Sequence, residues 1–158
     1  MTLAVVAMGS NLPPRRSTLQ RALADLGRIP GTRLVRASRF RETAPIDAPA
    51  GSHDFLNGAC LLETTCTAQQ LLQELLAIET RHGRVRGAAN GPRTLDLDLI
   101  VHGDVVLDEP GITVPHPRAH ERPFVLEPAA EVAPDMRHPL LKATLNDLHQ
   151  RLAVQQPG

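Results

Sequence analysis

Hydrophobic positions along this chain follow two periods. Residues 3–8 form a short apolar run closed by Gly9-Ser10-Asn11, the pattern of a buried strand followed by a turn. Behind Pro13-Pro14, Leu19, Ala22, Leu23 and Leu26 recur at helical spacing, with Ser17 as the expected cap and Gly27 and Pro30-Gly31 as the stop. Residues 33–42 and 55–64 read as strands, separated by PIDAPAGSHD, whose Pro, Gly, Ser and Asp content predicts a long connection of the kind that often carries function. Thr67 and Gln70 make a capping box for a second helix, in which Leu71, Leu72, Leu75, Leu76 and Ile78 form a broad apolar stripe ended by Gly83. Residues 94–102 then alternate, placing Leu95, Leu97, Leu99 and Val101 on one face. Gly103-Asp104 predicts a hairpin turn into a strand at 105–107, followed by Pro-rich loops and a last helix around 144–152.

Strand, helix, strand, strand, helix, strand is the order of a ferredoxin-like split βαβ sandwich. The expected α+β fold is therefore an antiparallel sheet with two helices on one face, extended by a C-terminal hairpin and helix. At 158 residues and 42% hydrophobic content, with no shift of composition, the chain is expected to be one domain spanning 1–158. It contains 17 Lys+Arg and 17 Asp+Glu, so it lacks the excess positive charge that drives non-specific nucleic-acid binding, and any anion site must be local. Lys142 is the only lysine. The arginines present donor forks suited to bidentate phosphate or carboxylate contacts, and only where they cluster does that preference carry weight. The opening apolar run is too short for a signal-peptide core, and no stretch is long enough to span a bilayer. Cys60 and Cys66 fit no metal or disulfide pattern and read as free thiols in a reducing cytoplasm.

Candidate chemistry concentrates in GRVRGAANGPRTLDLD, residues 83–98. Alternation turns Asp96 and Asp98 away from the leucines, two carboxylates about 7 Å apart along one strand face. Aspartate is a poor strand former, and a hard divalent cation is a natural partner for such a pair, since magnesium is commonly held by one or two carboxylates, waters and phosphate oxygens. An isolated D-x-D is better explained by a solvent-facing strand. Here Arg84, Arg86 and Arg93 stand beside it, a combination that points to a nucleotide site without a P-loop, of which the chain has none.

These residues belong to a larger set: GSNL at 9–12, ET-A-P at 42–45, FLN at 55–57, IE at 78–79, GRVR at 83–86, GPRTLDLDL at 91–99, VPHP at 114–117, R-P-FVLEP at 122–128 and EVAPD at 131–135. In that set the chain resembles 6-hydroxymethyl-7,8-dihydropterin pyrophosphokinase of folate biosynthesis, over nearly its whole length. The resemblance implies transfer of the terminal pyrophosphoryl unit of ATP to the pterin hydroxymethyl group, releasing AMP. It implies that Asp96 and Asp98 hold two Mg2+ ions, and that Arg84, Arg86, Arg93, Leu99, Thr113, His116 and Arg122 serve ATP, with Arg84 and Arg93 joining the acid pair in catalysis. It further implies that the pterin lies between Phe55 and Phe124, its polar edge read by Asn57 and by the chain at Thr43, Ala44, Pro45 and Ile46, with Asp96 beside it. Phe40, Phe55 and Phe124 are the only aromatic residues of the Phe, Tyr and Trp class, and a flat heterocycle needs stacking faces; Phe40 is expected in the core. The family often carries an Arg-Trp pair just before GPR, where this chain has GAAN at 87–90, apparently one residue shorter, and no tryptophan. The implied protein is a cytoplasmic monomer acting on small molecules, with neither nucleic acid nor membrane as partner.

His116 and His120 lie four residues apart, but Pro115 and Pro117 bracket the first and there is no H-E-x-x-H, so a zinc site is not expected. Two other classes share the element order or the ligand scale. An RNA-recognition module would show aromatic residues amid basic charge on its central strands, where this chain places acids. A non-catalytic small-ligand regulatory domain would have no use for an acid pair able to hold two metals.

Overall fold

An inner position in the sheet explains why the first strand is apolar without alternation. In the computed structural model, which describes residues 1–43, 54–83 and 95–155, β1 (Thr2–Ser10) pairs antiparallel with β4 (Phe55–Thr64) on one side and β5 (Asp96–His102) on the other. It is buried from Ala4 to Ser10 because both sheet faces are covered. The sheet order is β2-β4-β1-β5, with β2 (Thr32–Ala37) and the short β3 (Arg41–Thr43) sharing one edge of β4.

The single strand expected at 33–42 is thus two strands. Between them the Ser38 N–H donates to the Ala59 carbonyl at 2.8 Å, and the Ser38 hydroxyl accepts from the Ala59 N–H at 2.9 Å, so a side chain completes the ladder where the backbone departs. Gly58 lies under the departure, where a Cβ would come within 2.7 Å of the Phe40 ring. That ring packs against the core as expected, with Arg16 over it at 5.6 Å.

Helices α1 (Arg15–Gly27) and α2 (Ala68–Arg81) cover one face and enclose the leucines 19, 26, 56, 62, 71, 75, 95, 97 and 99. The Thr67–Gln70 capping box is present. Ser17 is not the cap of α1: Pro14 holds that position without a side-chain cap, and both the N–H and the hydroxyl of Thr18 donate to its carbonyl. Proline at the entrance supplies a preset φ, and Thr18 satisfies the turn from within.

Three further expectations are corrected. Val101 does not share a face with Leu95, Leu97 and Leu99. The β1–β5 register shifts, with Val5 opposite Val101 but Val6 opposite Leu99, and this bulge sends both Ile100 and Val101 into the second core. Gly103-Asp104 forms a turn but not a hairpin with β5. The hairpin joins β6 (Leu107–Glu109) to β7 (Ile112–Val114) around Pro110-Gly111, where Gly111 takes φ +86°. Finally, the Pro-rich region contains α3 (Pro123–Val132), which together with α4 (Leu145–Gln155) covers the second sheet face, so helices lie on both sides. Pro123 at the first turn favours a start there, whereas Pro128 within the helix opposes local propensity. Burial of Val125, Leu126, Ala129 and Val132 overrides it.

Candidate active site

At the end of the sheet where β1 finishes and β4 and β5 begin, strand register assembles one row of side chains. Asp96 on β5 lies opposite Gly9 on β1, Gly9 opposite Asn57 on β4, and Asn57 opposite Arg41 on β3. The next row holds Asp98, Ala7 and Ala59. Ala7 and Ala59 belong to the second core, so both rows face the α3 side. Asp96 is half-buried and Asp98 exposed, as alternation predicts for the face opposite the leucines.

Asn57 lies across Gly9: a Cβ there would meet Asn57 Oδ1 at 2.6 Å, so only glycine lets the amide lie flat over the strand. Asn57 Nδ2 donates to Thr43 Oγ1, fixing the amide's orientation between β3 and β1. Phe55, two residues earlier, stands on the same face and is half-buried. Phe124, near the start of α3, packs against the core on that side, with the Arg122 guanidinium 6.0 Å above its ring. Arg15, at the entrance of α1, donates to the Asp54 carbonyl at 2.9 Å and pairs with Glu42, joining the chain on either side of residues 44–53.

His116 meets β5 through its N–H, which donates to the Ile100 carbonyl at 2.9 Å. Its Nδ1 accepts from the Arg118 N–H at 3.2 Å, so the neutral ring carries its proton on Nε2. Burial lowers the His116 pKa from the usual histidine range; Asp98 raises it and Arg122 lowers it. These opposed influences place His116 in the field of both groups. The structure therefore brings His116 near Asp98 and near Arg122. Thr113 sits on the exposed side of β7 near Asp108, 3.4 Å away, and the Leu99 side chain is buried in the first core. Ala44, Pro45, Ile46, Arg84, Arg86 and Arg93, with the 87–90 loop, lie outside the described residues.

Among the described residues no three His, Cys, Asp or Glu side chains form a metal cluster. The pair that is present still fits magnesium, which takes one or two carboxylates and completes its shell with water and substrate phosphate.

Residues 5–134 match the sequence profile of the 7,8-dihydro-6-hydroxymethylpterin-pyrophosphokinase (HPPK) family. The chain belongs to that family. It is 41% identical over 149 residues to the 2-amino-4-hydroxy-6-hydroxymethyldihydropteridine pyrophosphokinase of Synechocystis sp., covering 94% of this chain and 75% of that protein. To the protein of the same name from Pseudomonas aeruginosa it is 46% identical over 134 residues, covering 85% and 82%. The fold agrees with the HPPK-DHPS crystal structure of Plasmodium falciparum with pteroate, at a TM-score of 0.75 and 12% identity over 98% of this chain and 43% of that one. The RNA-recognition and regulatory-domain readings are not favoured.

Two residues given no role by sequence reasoning support the candidate site. Glu79, on the buried stripe of α2, accepts from the Leu97 N–H at 2.7 Å and so holds the backbone between the two aspartates. An acid in a leucine stripe is the signal that marks it, since buried carboxylates are retained only with partners. Arg41, the fourth member of the row, has no comparable signal; its partners come from a helix distant in sequence.

Proposed function

We propose that this chain transfers the pyrophosphoryl unit of ATP to the hydroxymethyl group of 6-hydroxymethyl-7,8-dihydropterin, releasing AMP in folate biosynthesis. The observation that carries the reading is the shared sheet face. Asp96 and Asp98 stand one strand away from the Phe55–Asn57 corner, with His116 in the field of both Asp98 and Arg122. A phosphate-handling side and a heterocycle-handling side are thereby adjacent.

In this reading Phe55 and Phe124 supply stacking faces, and Asn57, locked by Thr43, reads the polar edge of the ring together with Thr43, Ala44, Pro45 and Ile46. Asp96 and Asp98 would hold two Mg2+ ions, which when bound neutralise and orient phosphate oxygens. His116 donates from Nε2 and Arg122 from its guanidinium to the triphosphate, joined by Arg84, Arg86 and Arg93 and by Thr113; an ATP contact at Leu99 would run through its backbone, since its side chain faces the first core. The pterin hydroxyl oxygen attacks the β-phosphorus, the bridge to the α-phosphate breaks, AMP leaves, and the hydroxyl proton is released. Such a displacement depends on positioning and charge neutralisation more than on covalent catalysis.

The protein is proposed to work as a cytoplasmic monomer. The free Cys60 and Cys66 support a reducing compartment; burial pushes the Cys60 thiol up to about 12. No described helix is long and apolar enough to cross a membrane. The deciding experiment incubates the chain with ATP, Mg2+ and the reduced hydroxymethylpterin and resolves the nucleotides: AMP is expected, whereas ADP or no turnover at any Mg2+ concentration refutes the reading.

A further inference from the structure

Three arginines of the β2–β3 edge reach the far end of α3. Arg36 Nη1 donates to the Val132 carbonyl at 3.0 Å. The Arg39 N–H donates to Glu131 Oε2 at 2.8 Å. Arg41 spreads its fork over two carboxylates, with Nε on Glu127 at 2.6 Å and Nη2 on Glu131 at 2.5 Å. Burial alone would raise the Glu131 carboxyl, but the Arg39 N–H and the Arg41 guanidinium outweigh it and hold it below the usual range.

Arg41 is placed to make this grip matter for the site. Across the strand it faces Asn57, while its strand neighbour Thr43 faces Phe55 and accepts from Asn57. On α3, Phe124, Glu127 and Glu131 stand at i, i+3 and i+7, one continuous stripe. The side chain that fixes β3 beside Asn57 therefore also holds the stripe that begins with Phe124.

We propose that Arg41 is a positioning residue for the heterocyclic substrate: by gripping Glu127 and Glu131 it sets Phe124 against the Thr43–Phe55–Asn57 corner of the sheet. This rests on the pterin reading above. Lysine cannot replace it, because an ammonium group is a point charge and cannot bridge two carboxylates one helical turn apart in a planar fork. The grip acts on the heterocycle side of the site and leaves the acid pair on β5 untouched.

The test measures KM for pterin and for ATP, and kcat, in the wild-type chain and in Arg41→Met, Arg41→Lys, Glu127→Gln and Arg41→Met/Glu127→Gln. Arg41→Met should raise the pterin KM about ten-fold, with the ATP KM changed by less than about two-fold. Glu127→Gln should give a smaller rise of the same kind, the double variant should be no worse than Arg41→Met, and Arg41→Lys should recover less than half of the loss. A pterin KM within two-fold of wild type in Arg41→Met, equal rises in both KM values, or additive effects would overturn the proposal. If Arg41→Met does not retain its far-UV spectrum, Glu127→Gln decides alone, and an unchanged pterin KM overturns the inference. An inactive wild-type chain defeats the pyrophosphokinase reading and this inference with it, whereas an active wild type with unaltered variants defeats only this inference.

Discussion

The two faces of the sheet are built on different principles. The face beneath α1 and α2 is filled with large aliphatic side chains, many of them wholly buried leucines. The face beneath α3 and α4 is rich in alanine, at positions 7, 59, 119, 129, 130, 133 and 143, and is bordered by Asp96, Asn57, Arg41 and Phe124. Large side chains give the first face most of its burial energy, which scales with the apolar area removed from water. Small ones keep α3 low over the sheet, so that a row of polar side chains at its margin is shared by strand and helix. One face is packed mainly with large aliphatic side chains, and the other combines smaller ones with the candidate site.

The largest effect expected of any single change falls on the second face without touching the first. Asp98→Ala should lower turnover by about 10³-fold or more, ~4 kcal/mol of activation free energy. Its thermal unfolding should stay near wild type, because Asp98 is exposed. The nucleotide assay and a melting curve check both halves, and near-normal turnover would remove Asp98 from the proposed metal site.

Next in size is a pair of core changes that divides the faces. Leu71→Ala empties a wholly buried site and should cost about 2–5 kcal/mol in urea unfolding while leaving both KM values near wild type. Ala129→Leu should cost less, roughly 1–3 kcal/mol, yet raise the pterin KM by lifting α3 from the sheet. Reversed kinetic effects would break the contrast between the faces.

The smallest effect is a pH dependence confined to the second face. His138 is almost fully buried; desolvation, helped by His120 whose ring centroid is 6.2 Å away, lowers its pKa below the ordinary 6.5. The unfolded chain therefore takes up a proton at a higher pH than the folded one. Stability contributed by neutral His138 is full above pH 6.5 and is lost as pH falls from there through the folded pKa. Urea titrations across this window should show the decline, and it should shrink in His138→Gln, whose amide cannot titrate, leaving the part contributed by the similarly lowered His116. An unchanged slope in that variant would assign the dependence to other groups.

Legibility divides along the same line. Apolar periodicity alone exposed β1, α1, α2 and the leucine side of β5, because those elements bury one continuous stripe or both faces, and the Thr67–Gln70 cap is a local hydrogen-bond pattern. Alternation also placed Asp96 and Asp98 on the correct face. The second face was hidden for identifiable reasons. Pro128 masks α3, whose helical state depends on burial supplied by β4 and α4. The bulge that turns Val101 over arises in pairing, where one strand carries an extra residue against its neighbour. The break at Ser38 depends on a hydroxyl finding the Ala59 backbone across the sheet.

By itself the sequence determined the order of the strand-helix-strand units around β1, α1, α2 and β5, the first core and the residue types of the candidate site, because each rests on short-range periodicity or on a contiguous motif. Only the tertiary structure decided which residues of different elements share a face. The row Asp96–Gly9–Asn57–Arg41 and the Arg41–Glu127–Glu131 grip join positions up to 90 residues apart. Strand register and helix docking fix such neighbours, and a one-residue shift in either would face the same side chains elsewhere.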